Sequence, residues 1–243
     1  MTEPAPVTAM PRTAVVAGVG PGLGESLARR FIDEGCNVGL FARSANYLQE
    51  LSAELGDQAV AVPTDITDES RVEDAFERVR EEFGPIDVLV NHASGAAWKG
   101  AEDISPGEFE QAWRVSAYGS LLCSQQAIPD MLDNDDGGTI IFTGATSALR
   151  GREGAVGFSA AKFGVRGMAE SMARELGPAG IHVAHVVIDG QILTPQAKRS
   201  YPNRDASSFL DPDEIASEYW HLIEQDRSAW TLELDLRPHV EEF

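Results

Sequence analysis

The segment Gly18-Val19-Gly20-Pro21-Gly22-Leu23-Gly24 stands between an apolar run, Thr13 to Gly18, and an amphipathic stretch, Gly22 to Glu34. Glycines there permit a tight turn and close backbone approach, while free amides and the positive end of the following helix receive a pyrophosphate. A glycine pattern alone is weak evidence; its place between a strand and a helix gives it weight. Where the second apolar run ends, Phe41-Ala42-Arg43-Ser44 puts a guanidinium where an acidic side chain would take ribose hydroxyls, and arginine suits a 2′-phosphate instead. Near the middle of the chain, Lys162 follows Phe158 by four residues. An ammonium lowers the pKa of an acid-base group beside it, but a phenyl ring has no proton to give.

These residues need a frame. Apolar runs bounded by turns alternate with stretches of helical period, which predicts repeated βα units around a parallel sheet. The predicted strands are Thr13 to Gly18, Asn37 to Ala42, Ala59 to Pro63, Ile86 to Asn91, Thr139 to Gly144 and Ile181 to Ile188. Helices are expected at Gly22 to Glu34, Ala45 to Leu55, Asp68 to Phe83, Pro106 to Met131 and Gly157 to Leu176. Gly84-Pro85 and Gly177-Pro178 each end a helix and feed the next strand. Trp230 to Arg237 alternates in the manner of a seventh strand, and the tail from His239 is left unassigned. The fold class is therefore α/β, a single-domain Rossmann fold with a doubly wound, parallel, seven-stranded sheet and helices on both faces. It would span residues 12–243 behind a flexible N-terminal tail, residues 1–11.

Composition narrows the function. The 39 acidic residues against 19 basic ones give a formal charge of -20, which repels nucleic acid and anionic membrane surfaces. Only three basic residues are lysines, Lys99, Lys162 and Lys198, and such a lysine-poor acidic surface is expected in a high-salt cytoplasm, where ions screen self-repulsion. No apolar run reaches the roughly 20 residues that cross a bilayer, and the acidic, proline-bearing start is unlike a signal peptide, so a soluble cytoplasmic protein is expected. Cys36 and Cys123 read as buried thiols in a reducing compartment. The acidic loop from Asp133 to Gly138 lacks calcium-loop spacing and reads as a solvated turn, so no metal site is expected.

The motifs together resemble the short-chain dehydrogenase/reductase family from about Thr13 to Ile223. The glycine turn matches its Gly-x-x-x-Gly-x-Gly, and Phe158-Ser159-Ala160-Ala161-Lys162 has the spacing of its Tyr-x-x-x-Lys, with phenylalanine for the tyrosine. Asp65-Ile66 matches the pair that touches adenine. Asn91-His92-Ala93-Ser94 matches the family's Asn-Asn-Ala-Gly, with His92 structural. Asp189-Gly190-Gln191-Ile192-Leu193-Thr194 matches Pro-Gly-x-x-x-Thr, which holds the nicotinamide carboxamide, with Asp189 for proline. The resemblance implies NADP, with NAD as the alternative, held by Gly18, Gly20, Pro21, Gly22, Leu23, Gly24, Arg43, Ser44, Asp65, Ile66, Asn91, His92, Ala93, Lys162, Gly190, Ile192 and Thr194.

The same resemblance exposes losses. The family serine, thirteen residues before the tyrosine, falls on Ala145, with Thr146 or Ser147 as substitutes after a short shift. The family asparagine that bends the preceding helix and holds a relay water falls on Ser116. Of the catalytic four, Lys162 survives; His92, Ser159, Tyr118 and Tyr201 are alternative proton donors. The implied activity is NADP-dependent hydride transfer between a nicotinamide and a carbonyl or alcohol of a small-molecule substrate, through an atypical or impaired active site. The alternative is an inactive dinucleotide-binding protein, redox-sensing or structural. The stretch Gln191 to Pro212 corresponds to the family's mobile substrate lid. Family members assemble as homodimers or homotetramers, which makes Phe163, Val165, Met168 and Met172 contact candidates, though core packing explains their spacing equally.

Overall fold

Strands rich in Val and Ile that lie between two helical layers have both faces buried, and the runs read above take that form. The computed structural model describes residues 11–240. In chain order these are β1 (Thr13–Ala17), α1 (Leu23–Asp33), β2 (Asn37–Ala42), α2 (Ala45–Leu55), β3 (Ala59–Pro63), α3 (Glu69–Phe83), β4 (Val88–Asn91), α4 (Pro106–Trp113), α5 (Gly119–Asp133) and β5 (Gly138–Thr143). There follow α6 (Val156–Leu176), β6 (Ile181–Ile188), β7 (Gln191–Ile192), α7 (Pro195–Ser200), β8 (Phe209–Leu210), α8 (Pro212–Ile223) and β9 (Glu233–Leu236). Seven strands form one parallel sheet in the order β3-β2-β1-β4-β5-β6-β9. This is the expected Rossmann arrangement.

The order reverses between β1 and β4, and a crevice for ligand opens beyond the carboxyl ends of strands at such a point. Register brings those ends level, because Ala17 faces both Phe41 of β2 and Asn91 of β4. One core packs α1 and α8 on the sheet through Leu27, Phe31, Tyr219 and Leu222. The other packs α3, α5 and α6 through Phe76, Leu122, Val165 and Leu176. Val165 is therefore a core residue, with Met168 and Met172 packed against the same core, whereas Phe163 is exposed.

Three elements differ from the sequence reading. The helix expected over Pro106 to Met131 is broken by a π-helical turn at Arg114–Tyr118, so α4 and α5 are distinct. The hydroxyl of Ser120 donates to the Ser116 carbonyl (2.7 Å) and that of Ser124 to the Ser120 carbonyl (2.7 Å), side-chain bonds that compete with the helical ladder. Helix α8 was not expected, although Asp211 caps it, Pro212 opens it and Asp213 and Glu214 occupy its first turn. The lid stretch is structured too, for β7 pairs with β8 and α7 is capped by Thr194, whose hydroxyl accepts from the Ala197 amide (3.0 Å). The N-terminal tail, apart from Pro11, and residues 241–243 lie outside the described residues.

Candidate functional site

The glycine turn is shaped by backbone contact. Gly18 has φ +120°, and a Cβ there would sit 2.4 Å from the Ala93 amide nitrogen. The amides of His92 and Ala93 both donate to the Ala17 carbonyl (2.9 and 2.7 Å), which presses the turn after β4 against the one after β1. Gly22 has φ +134°, and a Cβ would meet the Thr194 methyl at 2.7 Å. At Gly24 a Cβ would lie 2.5 Å from the Gly18 carbonyl, so α1 starts directly on the turn. Gly20, by contrast, has open space where a Cβ would be. Leu23 anchors the helix start in the core, while Pro21 is exposed. Side-chain-free walls, an open centre and a helix N-terminus are what a pyrophosphate needs.

Around that turn stand the other expected cofactor residues. Arg43 and Ser44 are exposed at the end of β2. The Arg43 guanidinium makes no hydrogen bond or ion pair among the described residues, and Ser44 precedes α2 without capping it through its side chain. Asp65 accepts from the amide and hydroxyl of Thr67 (3.0 and 2.8 Å), bonds that lower its pKa with further help from Arg43. Ile66 is buried against Gly119. Asn91 turns inward, its Nδ2 donating to Ser124 Oγ (3.1 Å), and its buried Oδ1 has no partner among the described residues. Gly190 lies under Pro238 and Leu210, which a Cβ would reach at 2.8 and 3.2 Å. Ile192 and Thr194 line the cleft that continues from here.

That cleft has a volume of about 930 Å³. Phe158 and Lys162 face it from α6, one helical turn apart, and Ala145 and Ser147 face it from the turn after β5. The positions that the sequence reading aligned with the family tyrosine and serine, Phe158 and Ala145, thus share one cleft with Lys162. Lys162 is buried, and its Nζ donates to the Thr143 carbonyl (2.7 Å). Burial without a carboxylate partner pulls its pKa down to about 8. The Phe158 ring centre lies 5.7 Å from Nζ, and the Trp98 ring packs beside it at a centroid distance of 4.7 Å.

The substitutes fare unequally. Thr146 is engaged, its hydroxyl donating to Asp189 Oδ1 (2.5 Å), so it does not stand in for the serine. Ser147 is buried on the cleft wall. Ser116 lies in the π-helical turn and accepts from the Gly95 amide (3.0 Å), with Ser94 Oγ at 3.5 Å. Among the alternative donors, His92 and Tyr201 line the cleft, while Tyr118 stacks with Trp113 and Ser159 accepts from the Arg152 amide at 3.4 Å. Burial and then the nearby Lys162 charge push His92 down to about 4, leaving it neutral at pH 7. Its Nδ1 meets the Thr143 hydroxyl (3.2 Å), which in turn meets the buried Tyr219 hydroxyl (2.8 Å), a chain of polar groups that runs from the cleft into the core.

Sequence reasoning missed Trp98, which sits on a loop tied to α6 by the Val156 amide donating to the Lys99 carbonyl (3.2 Å). It also treated Asp189 as a lost proline. In the structure Asp189 is buried and partnered, by Thr146 and at longer range by Arg150 (3.9 Å) and Arg237 (3.7 Å), so charge fixes the loop that proline would stiffen. Cys36 and Cys123 are free and buried, and burial raises both thiols, to about 11 and about 12. Among the described residues no group of three or more His, Cys, Asp or Glu could hold a metal, and no helix is long and apolar enough to cross a membrane.

A family model described as short chain dehydrogenase matches residues 12–205. An uncharacterized oxidoreductase of Staphylococcus aureus (strain N315) is 28% identical over 228 residues, 93% of this chain and 97% of that one. The crystal structure of a 3-ketoacyl-(acyl-carrier-protein) reductase from Brucella melitensis complexed with NADH has a TM-score of 0.84 at 29% identity, over 95% of this chain and 98% of that chain. The closed form of a serine dehydrogenase complexed with NADP+ gives 0.87 at 24% identity, over 95% and 96%, a likeness of fold. The family-model match over most of its length, on a parallel sheet of this order, shows that the chain belongs to the short-chain dehydrogenase family.

Proposed function

We propose that the protein is an NADP-dependent oxidoreductase that reduces a carbonyl, or oxidises the corresponding alcohol, without a catalytic phenol. The observation that carries this reading is the joining of two features in one crevice: a glycine turn closed by Thr194 at Gly22, and a buried Lys162 on the cleft wall that Thr194 also lines. The open backbone at Gly20 fits a pyrophosphate, and Arg43, unpaired among the described residues, with Ser44 beside it fits a 2′-phosphate. When bound, a reduced nicotinamide supplies the hydride that turns a carbonyl into an alkoxide.

The chain's own part is to hold substrate and supply a proton. At pH 7 the Lys162 ammonium is charged and lies 5.7 Å from the Phe158 ring centre, whereas His92, neutral and held by Thr143, is not an acid there. We assign the proton to Lys162 Nζ, with the Thr143 carbonyl fixing its direction. Carbonyl reduction should then weaken as pH rises through about 8, where the ammonium is lost. The acidic, lysine-poor surface and the two free thiols support work in a high-salt cytoplasm, and exposed Trp113 and Phe163 support pairing of copies through the α4 and α6 faces.

Fluorescence titration with NADPH and NADH tests the first half. NADPH should bind more tightly; tighter NADH binding defeats the NADP assignment, and uptake of neither defeats the whole reading. Oxidation of bound NADPH with a carbonyl panel, lost in Lys162→Met, tests the second half.

A further inference from the structure

Although acidic residues outnumber basic ones two to one (39 against 19), the cleft reverses the balance. Lys162, Arg150, Arg152 and Arg204 line it against Glu153 and Asp189. Asp189 is already answered by the Thr146 hydroxyl and by Arg237, while the exposed Arg150 reaches it only at 3.9 Å and makes no hydrogen bond to it. Lys162 faces a neutral carbonyl, so its charge is not cancelled. Arg204 is committed to the lid, donating to the hydroxyl and carbonyl of Ser208 (2.8 and 3.0 Å) and lying 4.8 Å from the Phe209 ring centre. Arg152 is different. Its backbone is pinned, with the amide donating to Ser159 Oγ (3.4 Å) and the carbonyl accepting from Ala155 (3.2 Å), yet its exposed guanidinium has no hydrogen-bond or ion-pair partner among the described residues.

A local cationic wall in a strongly anionic protein draws in the anions that the remaining surface repels. The same cleft carries an apolar plate. Trp98 is 59% exposed and inclined at 35° to the Phe158 ring, and the loop that bears it is held by Lys99, whose Nζ donates to Glu108 (2.6 Å). A large indole left open to solvent on a fixed loop, beside a second aromatic ring, offers stacking area to a flat ligand.

We propose that the cleft selects a planar organic anion, its ring against Trp98 and Phe158 and its carboxylate facing Arg152 and Arg150. This names the substrate class of the oxidoreductase proposed above and rests on that reading for turnover, while binding of the anion stands on the cleft lining alone. Replacement of the phenol by a phenyl group then has a second consequence: it extends the apolar plate under the substrate ring.

The probes are benzoylformate and its methyl ester, titrated by calorimetry into the full-length protein with and without NADPH at fixed salt. The acid should bind at least about tenfold more tightly than the ester, a difference of about 1.4 kcal/mol. Arg152→Ala and Arg150→Ala should each remove most of that preference, and Trp98→Ala should weaken acid and ester alike. Arg71→Ala, which deletes the same charge from the exposed face of α3, should leave the preference intact. Equal binding of acid and ester, binding of neither, or an Arg71→Ala effect as large as that of Arg152→Ala overturns the proposal. Failure to take up NADPH in the same samples would instead sink the oxidoreductase reading, with the acid-to-ester ratio still measurable.

Discussion

The two halves of the crevice are made of different material. The half under β1 and β2 is built by backbone: Gly18, Gly22 and Gly24 have no room for a Cβ, and their geometry is set by neighbouring main chain or by Thr194. The half under β5 and α6 is built by side chains, with Phe158, Lys162, Ala145 and Ser147 lining the cleft from α6 and from the turn after β5. A backbone cradle fails if any one member gains an atom, whereas a side-chain pocket can exchange groups and remain folded.

The hardest blow to this contrast comes from Gly18→Val, which adds a β-branched side chain at positive φ and against the Ala93 amide. Uptake of NADPH should vanish, and melting should fall by more than about 5 °C, given strain of at least ~2 kcal/mol. A variant that still binds NADPH normally would show that the cradle is softer than its geometry implies.

In the other half, single groups should change rate without changing fold. Phe158→Tyr combined with Ala145→Ser should raise carbonyl reduction by roughly 10² to 10⁴, the usual worth of a placed acid. Lys162→Met should lower the parent's rate by a similar factor while melting is unchanged or raised, since a buried charge is removed. In the double variant the loss of rate above pH 8 should disappear, because the phenol takes over the proton. Persistence of that loss would remove Lys162 from its assigned role in the parent.

A smaller effect is expected where side chain meets cradle. Arg43→Glu should weaken NADPH by roughly tenfold to a hundredfold and spare NADH, because one charged hydrogen-bond partner is worth about 1.5–3 kcal/mol. Equal weakening of both cofactors would point to damage of the turn rather than loss of a phosphate contact.

The smallest effect concerns His92, where the halves touch. Its folded pKa of about 4 lies below the ordinary value of 6.5, so the neutral ring favours the folded state. That contribution is complete above pH 6.5 and is lost as pH falls towards 4. Denaturant midpoints measured across this window should fall with pH, and His92→Gln should flatten the slope; an unchanged slope would assign the acid sensitivity to the carboxylates.

The alternation of apolar runs and helical periods was enough to name β1 through β6 and most of α1 to α3, since parallel strands between two layers of helix leave a strong hydrophobic signature. The glycine turn was legible for the same local reason, a strand followed at once by residues that tolerate positive φ. The absence of a phenol at Phe158 and of a hydroxyl at Ala145 is also a matter of sequence alone. Other features depend on contacts between distant segments. The π-helical turn at Arg114–Tyr118 packs on α6 across the fold and is not marked by the apolar period of Pro106 to Met131, and α8 was hidden behind an aperiodic lid despite its capping signals. Only folding decides that Thr146 is claimed by Asp189, 43 residues away, or that Trp98 settles on Phe158. Residue type fixes which chemistry is available; which groups remain free to perform it depends on the partners that folding brings within about 3 Å.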